Sequence, residues 1–131
     1  MDDRLMFASS MIGKPWVYRA SSLECVDCWG LVVLYYRRVL GIELHQVPDM
    51  ETDKGFLTYY RDNVVNWKKI ENPENDGVFV AYVGDEPKHI GIVLLGDALH
   101  ASGDAGCVRY DKLRAIERKF TRLEYLRYAN N

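Results

Sequence analysis

Few side chains in this 131-residue sequence can attack a carbonyl, hold a soft metal or shuttle a proton near neutral pH: Cys25, Cys28 and Cys107, and His45, His89 and His100. Two of the cysteines stand three apart in SLECVDCWGL (22–31). Such a pair can be a redox couple, half of a zinc knuckle, or two unrelated residues. A thioredoxin-like pair follows a strand within a βαβ unit, whereas a polar loop after a helical pattern precedes Cys25. A zinc reading needs two further ligands from His89, His100 or Cys107, and structural zinc sites usually show two paired knuckles where this chain has one. Most free cysteines are small buried hydrophobes, and that is the expectation for Cys25 and Cys107.

Cys28 stands apart because of its neighbours. Asp27 is a good helix N-cap, an apolar run with helical periodicity follows, and Gly41 supplies a C′ residue, so the spacing predicts a helix over 28–40 with Cys28 as its first residue. Unpaired N–H groups and the macrodipole at a helix start favour negative charge, and a cysteine placed there ionises more easily. With a histidine nearby as base, the arrangement is that of a cysteine acyl-transfer enzyme.

Two histidines suit that role. His89 is expected to open a strand, with Gly91 on the same face leaving room for substrate or for the nucleophile's helix. His100 falls in the next strand after the turn Leu95-Gly96-Asp97, so the two imidazoles can lie side by side, one as base and one as its orienter. His45, in a polar loop, is expected at the surface.

The elements that must position these groups follow from the hydrophobic pattern. DRLMFASSMI (3–12) has helical spacing that stops at Gly13. Residues 43–75 are polar and turn-rich, with a short helix expected around 53–63. The period then changes: GVFVAYV (77–83), HIGIVLL (89–95), ALHAS (98–102) and GCVRY (106–110) read as an antiparallel meander. The tail, 119–130, fits either a helix or a last strand, and its alternation at Phe120, Arg122, Glu124 and Leu126 favours the strand. Helices followed by a meander make an α+β layout in a single domain, 1–131.

Composition narrows the function. With 48% hydrophobic and 27% charged residues, the chain can bury a core without disulfides or a structural metal. A net charge of −2 offers no basic field for nucleic acid or an anionic membrane, and no apolar run approaches the roughly 18 residues of a membrane span. The first residues, MDDRLMFASSMIGKP, carry two acids where a signal peptide needs a basic region, so cytoplasmic synthesis without a signal peptide is expected. No cofactor or metal is called for.

Gly13-Lys14-Pro15-Trp16, Asp27-Cys28-Trp29-Gly30-Leu31-Val32, Lys88-His89-Ile90-Gly91-Ile92 and Leu99-His100-Ala101-Ser102 together resemble the pattern G-x-P-Y, D-C-S-G-L-V, H-V-G-I and a further polar residue of the NlpC-type cell-wall peptidases, which are papain-like. The resemblance runs from about residue 5 to 113. It implies a papain-like α+β fold, with the nucleophile at the start of a helix packed on an antiparallel sheet. It implies Cys28 as nucleophile, His89 as general base and His100 as orienting residue. The implied reaction is hydrolysis of an amide in peptidoglycan stem peptides, of the γ-D-glutamyl-diamino acid type. Asp27 matches the family aspartate that helps receive the amino end of the stem peptide, and Trp16, Tyr18 and Trp29 fall at positions neighbouring the substrate site. Trp29 stands where the family commonly has Ser, Trp16 where it has Tyr, and Arg19-Ala20 where it has Gly-Gly. A tryptophan after the cysteine looks most like phage-encoded members, similar to tail-tip or tail-assembly peptidases, which implies virion association and tail proteins as partners. The alternatives are a papain-like amidase or acyltransferase on another substrate, and a catalytically silent tail component.

Overall fold

The computed structural model describes residues 2–44 and 67–129. The helix expected around 53–63 and His45 lie outside the described residues. Helix α1 (Asp3–Met11) starts where the Asp2 carboxylate accepts from the Arg4 N–H at 2.8 Å, and it buries Phe7, Ala8 and Met11. Helix α2 (Cys28–Tyr35) is apolar all round, and every residue after Cys28 is buried, as befits a central helix covered on all sides. Where a continuous α-helix to residue 40 is expected, Tyr36–Leu40 instead wind as a π-turn, closed by Gly41 at φ 69°. At this junction Tyr35 and Tyr36 are both buried, and both hydroxyls donate to Asp76, one to its carboxylate and one to its carbonyl. Arg4 completes this hub, its Nε and Nη2 reaching the Asp76 carboxylate at 2.8 and 2.6 Å. Both helices are thereby fastened to the turn that enters the sheet.

Six antiparallel strands follow: β1 (Trp67–Ile70), β2 (Val78–Val83), β3 (Glu86–Leu94), β4 (Asp97–Ser102), β5 (Cys107–Asp111) and β6 (Arg122–Tyr128), in the order β1-β6-β2-β3-β4-β5. Strands β2 to β5 form the expected meander. Two further elements differ from the sequence expectation. Trp67–Ile70 is a strand within the supposedly turn-rich stretch, short and carrying two lysines as an edge strand does. Between β5 and β6 lies a third helix, α3 (Leu113–Lys119), whose weak signal is explained by its length and by an N-cap, Lys112, with no side-chain cap bond. The tail is a strand, as its alternation predicts, but it inserts between β1 and β2.

Alternation along the strands gives the sheet two apolar faces. Val78, Val80, Ile90, Ile92, Leu94 and Leu99 join α1 and α2 in the main core. Phe79, Val93 and Ala98 pack against Leu113 and Ile116 of α3 on the other face. Among the described residues the result is three helices on a six-stranded sheet.

The β3–β4 ladder joins Ile92 to Leu99, Val93 to Ala98 and Leu94 to Asp97. Beyond it β3 continues against β2, and β4 against β5. His89 and His100 lie in these continuing segments, past the last paired residues.

Candidate active site

A cavity of about 300 Å³ opens at this point. It takes Cys28 from α2 on one face of the sheet, Lys88 and His89 from β3, His100 and Ser102 from β4, and Ile116, Lys119 and Phe120 at α3 on the other face. The parting of β3 from β4 is what lets residues from opposite faces share one space.

Cys28 is held there by the capping of its helix. The Asp27 carboxylate accepts from the Gly30 N–H at 2.6 Å through one oxygen and from the Arg19 N–H at 3.0 Å through the other. Asp27 is only 7% exposed. Burial raises its pKa, against the pull of the same N–H groups. The preceding loop is bound tightly over this turn: the Asp27 N–H donates to the Ala20 carbonyl at 2.9 Å, and Arg19 takes a left-handed φ of 64°. On its other side the loop is tied to β5 and the turn before it, with the Gly13 and Trp16 N–H groups donating to the Val108 and Gly106 carbonyls at 2.8 Å. That places the Trp16 indole on the cavity wall.

The histidines form a chain. His89 Nε2 lies 2.9 Å from His100 Nδ1, and His100 Nε2 lies 2.7 Å from Asp111 Oδ2. Phe120 stacks on His89 with ring centroids 5.9 Å apart and planes at 10°, and Phe79 meets both imidazoles edge-on. His89 does not open its strand as expected but is the fourth residue of β3. Gly91 serves a different purpose from the one anticipated: a Cβ there would stand 2.5 Å from the Phe79 ring and 2.8 Å from His100 Cβ. Its missing side chain makes room for the aromatic support of the histidines.

Of the other residues singled out by sequence, the structure brings Trp16 to the cavity and leaves Tyr18, Asp27 and Trp29 off its lining. Trp29 is 3% exposed and belongs to the main core, because a residue one step past Cys28 on a helix points about 100° away from it. Cys25 and Cys107 are half-buried rather than buried, and all three cysteines are free thiols. Sequence reasoning misses Asp111 and Arg109. Arg109 donates from Nε and Nη2 to the two Asp111 oxygens at 2.9 and 3.0 Å. Their alternation with His100 across β4–β5 pairing is the only signal that could have found them.

Electrostatics modify the expectation of a thiolate at the helix start. Burial, and then the charge of Asp27, push the Cys28 thiol up to about 12, although the backbone amides of Ile90, Trp29 and Cys28 itself pull it down. His89 moves the opposite way, lowered to about 3 by burial and by His100. Both shifts favour a resting thiol and a neutral imidazole over a thiolate and an imidazolium. The depressed His89 pKa has a sign in folding: between pH 6.5 and 3 the unfolded chain binds a proton that the folded chain refuses, so stability falls as pH drops through that window. Denaturant titrations at pH 7 and pH 5 should show a loss of up to about 2 kcal/mol from this group. That loss should be absent from His89→Gln.

Comparison with known proteins agrees with this architecture. Tail tip assembly protein K of Escherichia phage N15 is 33% identical over 95 residues, which are 65% of this chain and 38% of that protein. The chain thus spans well under half the length of that relative. NlpC1 from Trichomonas vaginalis superposes with a TM-score of 0.70 at 18% identity, over 96% of this chain and 42% of that one. The NlpC/p60 domain of the peptidoglycan hydrolase SagA superposes with a TM-score of 0.64 at 16% identity, over 95% of each chain. At these identities the structural likeness is one of fold. The NlpC/P60 family model matches residues 13–124, a span that holds every cavity residue from Trp16 to Phe120 and the whole chain from His89 to Asp111, and the protein belongs to that family.

Proposed function

We propose that this protein is a cysteine endopeptidase that hydrolyses an amide in peptidoglycan stem peptides, of the γ-D-glutamyl-diamino acid type, and that it is phage or prophage encoded and works with phage tail proteins. The observation that carries the reading is the sharing of one cavity by Cys28, at a helix start, and the hydrogen-bonded pair His89 and His100. Family membership supports an enzyme of this class, and the name of the phage relative supports the tail setting.

In this mechanism the Cys28 thiol attacks the scissile carbonyl while His89 takes its proton. Because the resting pair is neutral, transfer accompanies attack rather than preceding it. His89 Nε2 is engaged by His100, so Nδ1 is the nitrogen that accepts. The imidazolium then protonates the leaving amine, the carbonyl carbon keeps its bond to sulfur, and a thioester remains. Water, deprotonated by His89, hydrolyses the thioester and frees the thiol. The oxyanion is met by the Cys28 backbone N–H, a donor worth roughly 3 kcal/mol in such sites.

Trp16 supplies an apolar wall for substrate, and Lys88 and Lys119 at the same cavity suit the carboxylates of a stem peptide. Asp27 and Trp29 act indirectly, by fixing the helix that carries Cys28. Incubation with purified sacculi, followed by mass analysis of released fragments, tests the reading. The expected products end in a D-glutamate with a free γ-carboxyl. Release of no stem-peptide fragment overturns the substrate assignment.

A further inference from the structure

We propose that Asp111, held by Arg109, is a positioning residue that sets the tautomers of both histidines and thereby leaves a bare Nδ1 on His89. The inference rests on the reading of His89 as the base, and extends it to two residues outside the cavity.

Proton counting carries it. Asp111 accepts from both Arg109 nitrogens at 2.9 and 3.0 Å and lies 2.7 Å from His100 Nε2. Arg109, with His100 behind it, keeps this carboxyl down to about 2, so it is ionised and can only accept. His100 must therefore carry its proton on Nε2. His100 is 4% exposed, and burial lowers its pKa against the pull of Asp111. In the neutral ring Nδ1 is then bare and accepts across the 2.9 Å contact to His89. His89 in turn must hold its proton on Nε2, and its own Nδ1 is free to take one from Cys28. Each ring is assigned by the one behind it, and the series ends in a charge that cannot donate.

The same arrangement fits the step after proton transfer. When His89 becomes an imidazolium, its Nε2–H continues to donate to His100, whose Nε2–H continues to donate to Asp111. No proton moves to Asp111. A proton placed on His100 instead would put N–H on both its nitrogens and force His89 into the other tautomer, with Nδ1 protonated and useless as a base. The charged groups that bear on His100 are Asp111 and Arg109 on β5, Lys119 on α3, and His89 on β3, of which Asp111 favours the protonated ring while Arg109 and Lys119 oppose it.

The test is ring-nitrogen NMR of protein labelled with 15N-histidine, together with kinetics on a stem-peptide substrate. At pH 7 the wild type should show both His89 and His100 protonated on Nε2 alone. In Asp111→Ala the His100 signals should become those of mixed tautomers, followed by His89. kcat should fall roughly 10- to 100-fold with KM little changed, less than the roughly 10⁴-fold seen when a directly bonded orienting carboxylate is neutralised. Asp111→Asn, of the same size, guards against loss of fold. Its expected signature is an acid limb of kcat/KM moved to lower pH, because the charge favouring protonated His100 is gone. Unchanged tautomers, or unchanged kcat, in both variants overturn the inference. Absence of any hydrolysis by the wild type would count against the substrate and not against Asp111, since the tautomer signals are read without turnover.

Discussion

Cys28→Ala should lose stem-peptide hydrolysis by at least about 10⁴-fold, in keeping with the proposed role of Cys28 as covalent nucleophile. Cys28 is half-buried at the end of a helix, and trimming it to alanine should change the unfolding free energy by no more than about 1 kcal/mol. His89→Ala should cost as much, and the double variant scarcely more, because a nucleophile and its base act as one unit. Cys25→Ala, by contrast, should retain activity. Cys25 lies in the loop before the helix, near the Ser22 hydroxyl at 3.8 Å, and does not line the cavity. The neutral resting pair adds a distinctive signature: alkylation of Cys28 by iodoacetamide should be slow at pH 7 and rise steadily with pH. A plateau already reached at pH 6 would show a preformed ion pair instead.

Gly30→Ala should be the most damaging glycine-to-alanine change among the described residues. A Cβ at Gly30 would stand 1.9 Å from the Ala20 carbonyl oxygen and 3.0 Å from the Asp27 carboxylate. The first obstacle is backbone and cannot rotate away. The loop that must move also carries Arg19, whose N–H binds Asp27, so relieving the clash breaks the cap of the Cys28 helix. Overpacking usually costs roughly 1–3 kcal/mol and occasionally more, and this case belongs at or above the top of that range. A domain with about 5–15 kcal/mol of stability would be weakened severely. Gly41→Ala provides the contrast, having nothing within 4 Å of its Cβ position and a φ of 69°. Only the left-handed backbone opposes alanine there, at about 1–2 kcal/mol. Urea midpoints of the two variants should separate clearly.

Cys28 and Trp29, adjacent on one helix, differ in how far their placement is legible in the sequence. Asp27 and Gly41 mark a helix through local rules of capping, and those rules put Cys28 at its start without any knowledge of the sheet. His89 and His100 were also legible, because neighbouring strands in a meander are close in sequence. Trp29 was not: helix geometry turns it away from Cys28, but on a helix apolar all round only the packing decides which side meets the core and which the cavity. Asp111 and Arg109 were hidden for a related reason. Their importance lies in register across β4 and β5, with His100 opposite Arg109, and an aspartate before a lysine at a strand end otherwise reads as turn chemistry. The insertion of β6 between β1 and β2 is a pairing across 40 or more residues, which no local pattern encodes. The helix start alone does not set the ionisation of Cys28, because burial and Asp27 push the thiol up against the favourable amides.

The central claim is that Cys28 forms a covalent bond to the acyl part of a stem peptide. Its most direct measurement is peptide-mapped mass spectrometry of the protein quenched in acid within seconds of mixing with a purified muropeptide. An acyl adduct on the peptide containing Cys28, removed by neutral hydroxylamine and absent from Cys28→Ala, is the expected result. Continued hydrolysis by Cys28→Ala, with no adduct on the wild type, would contradict it.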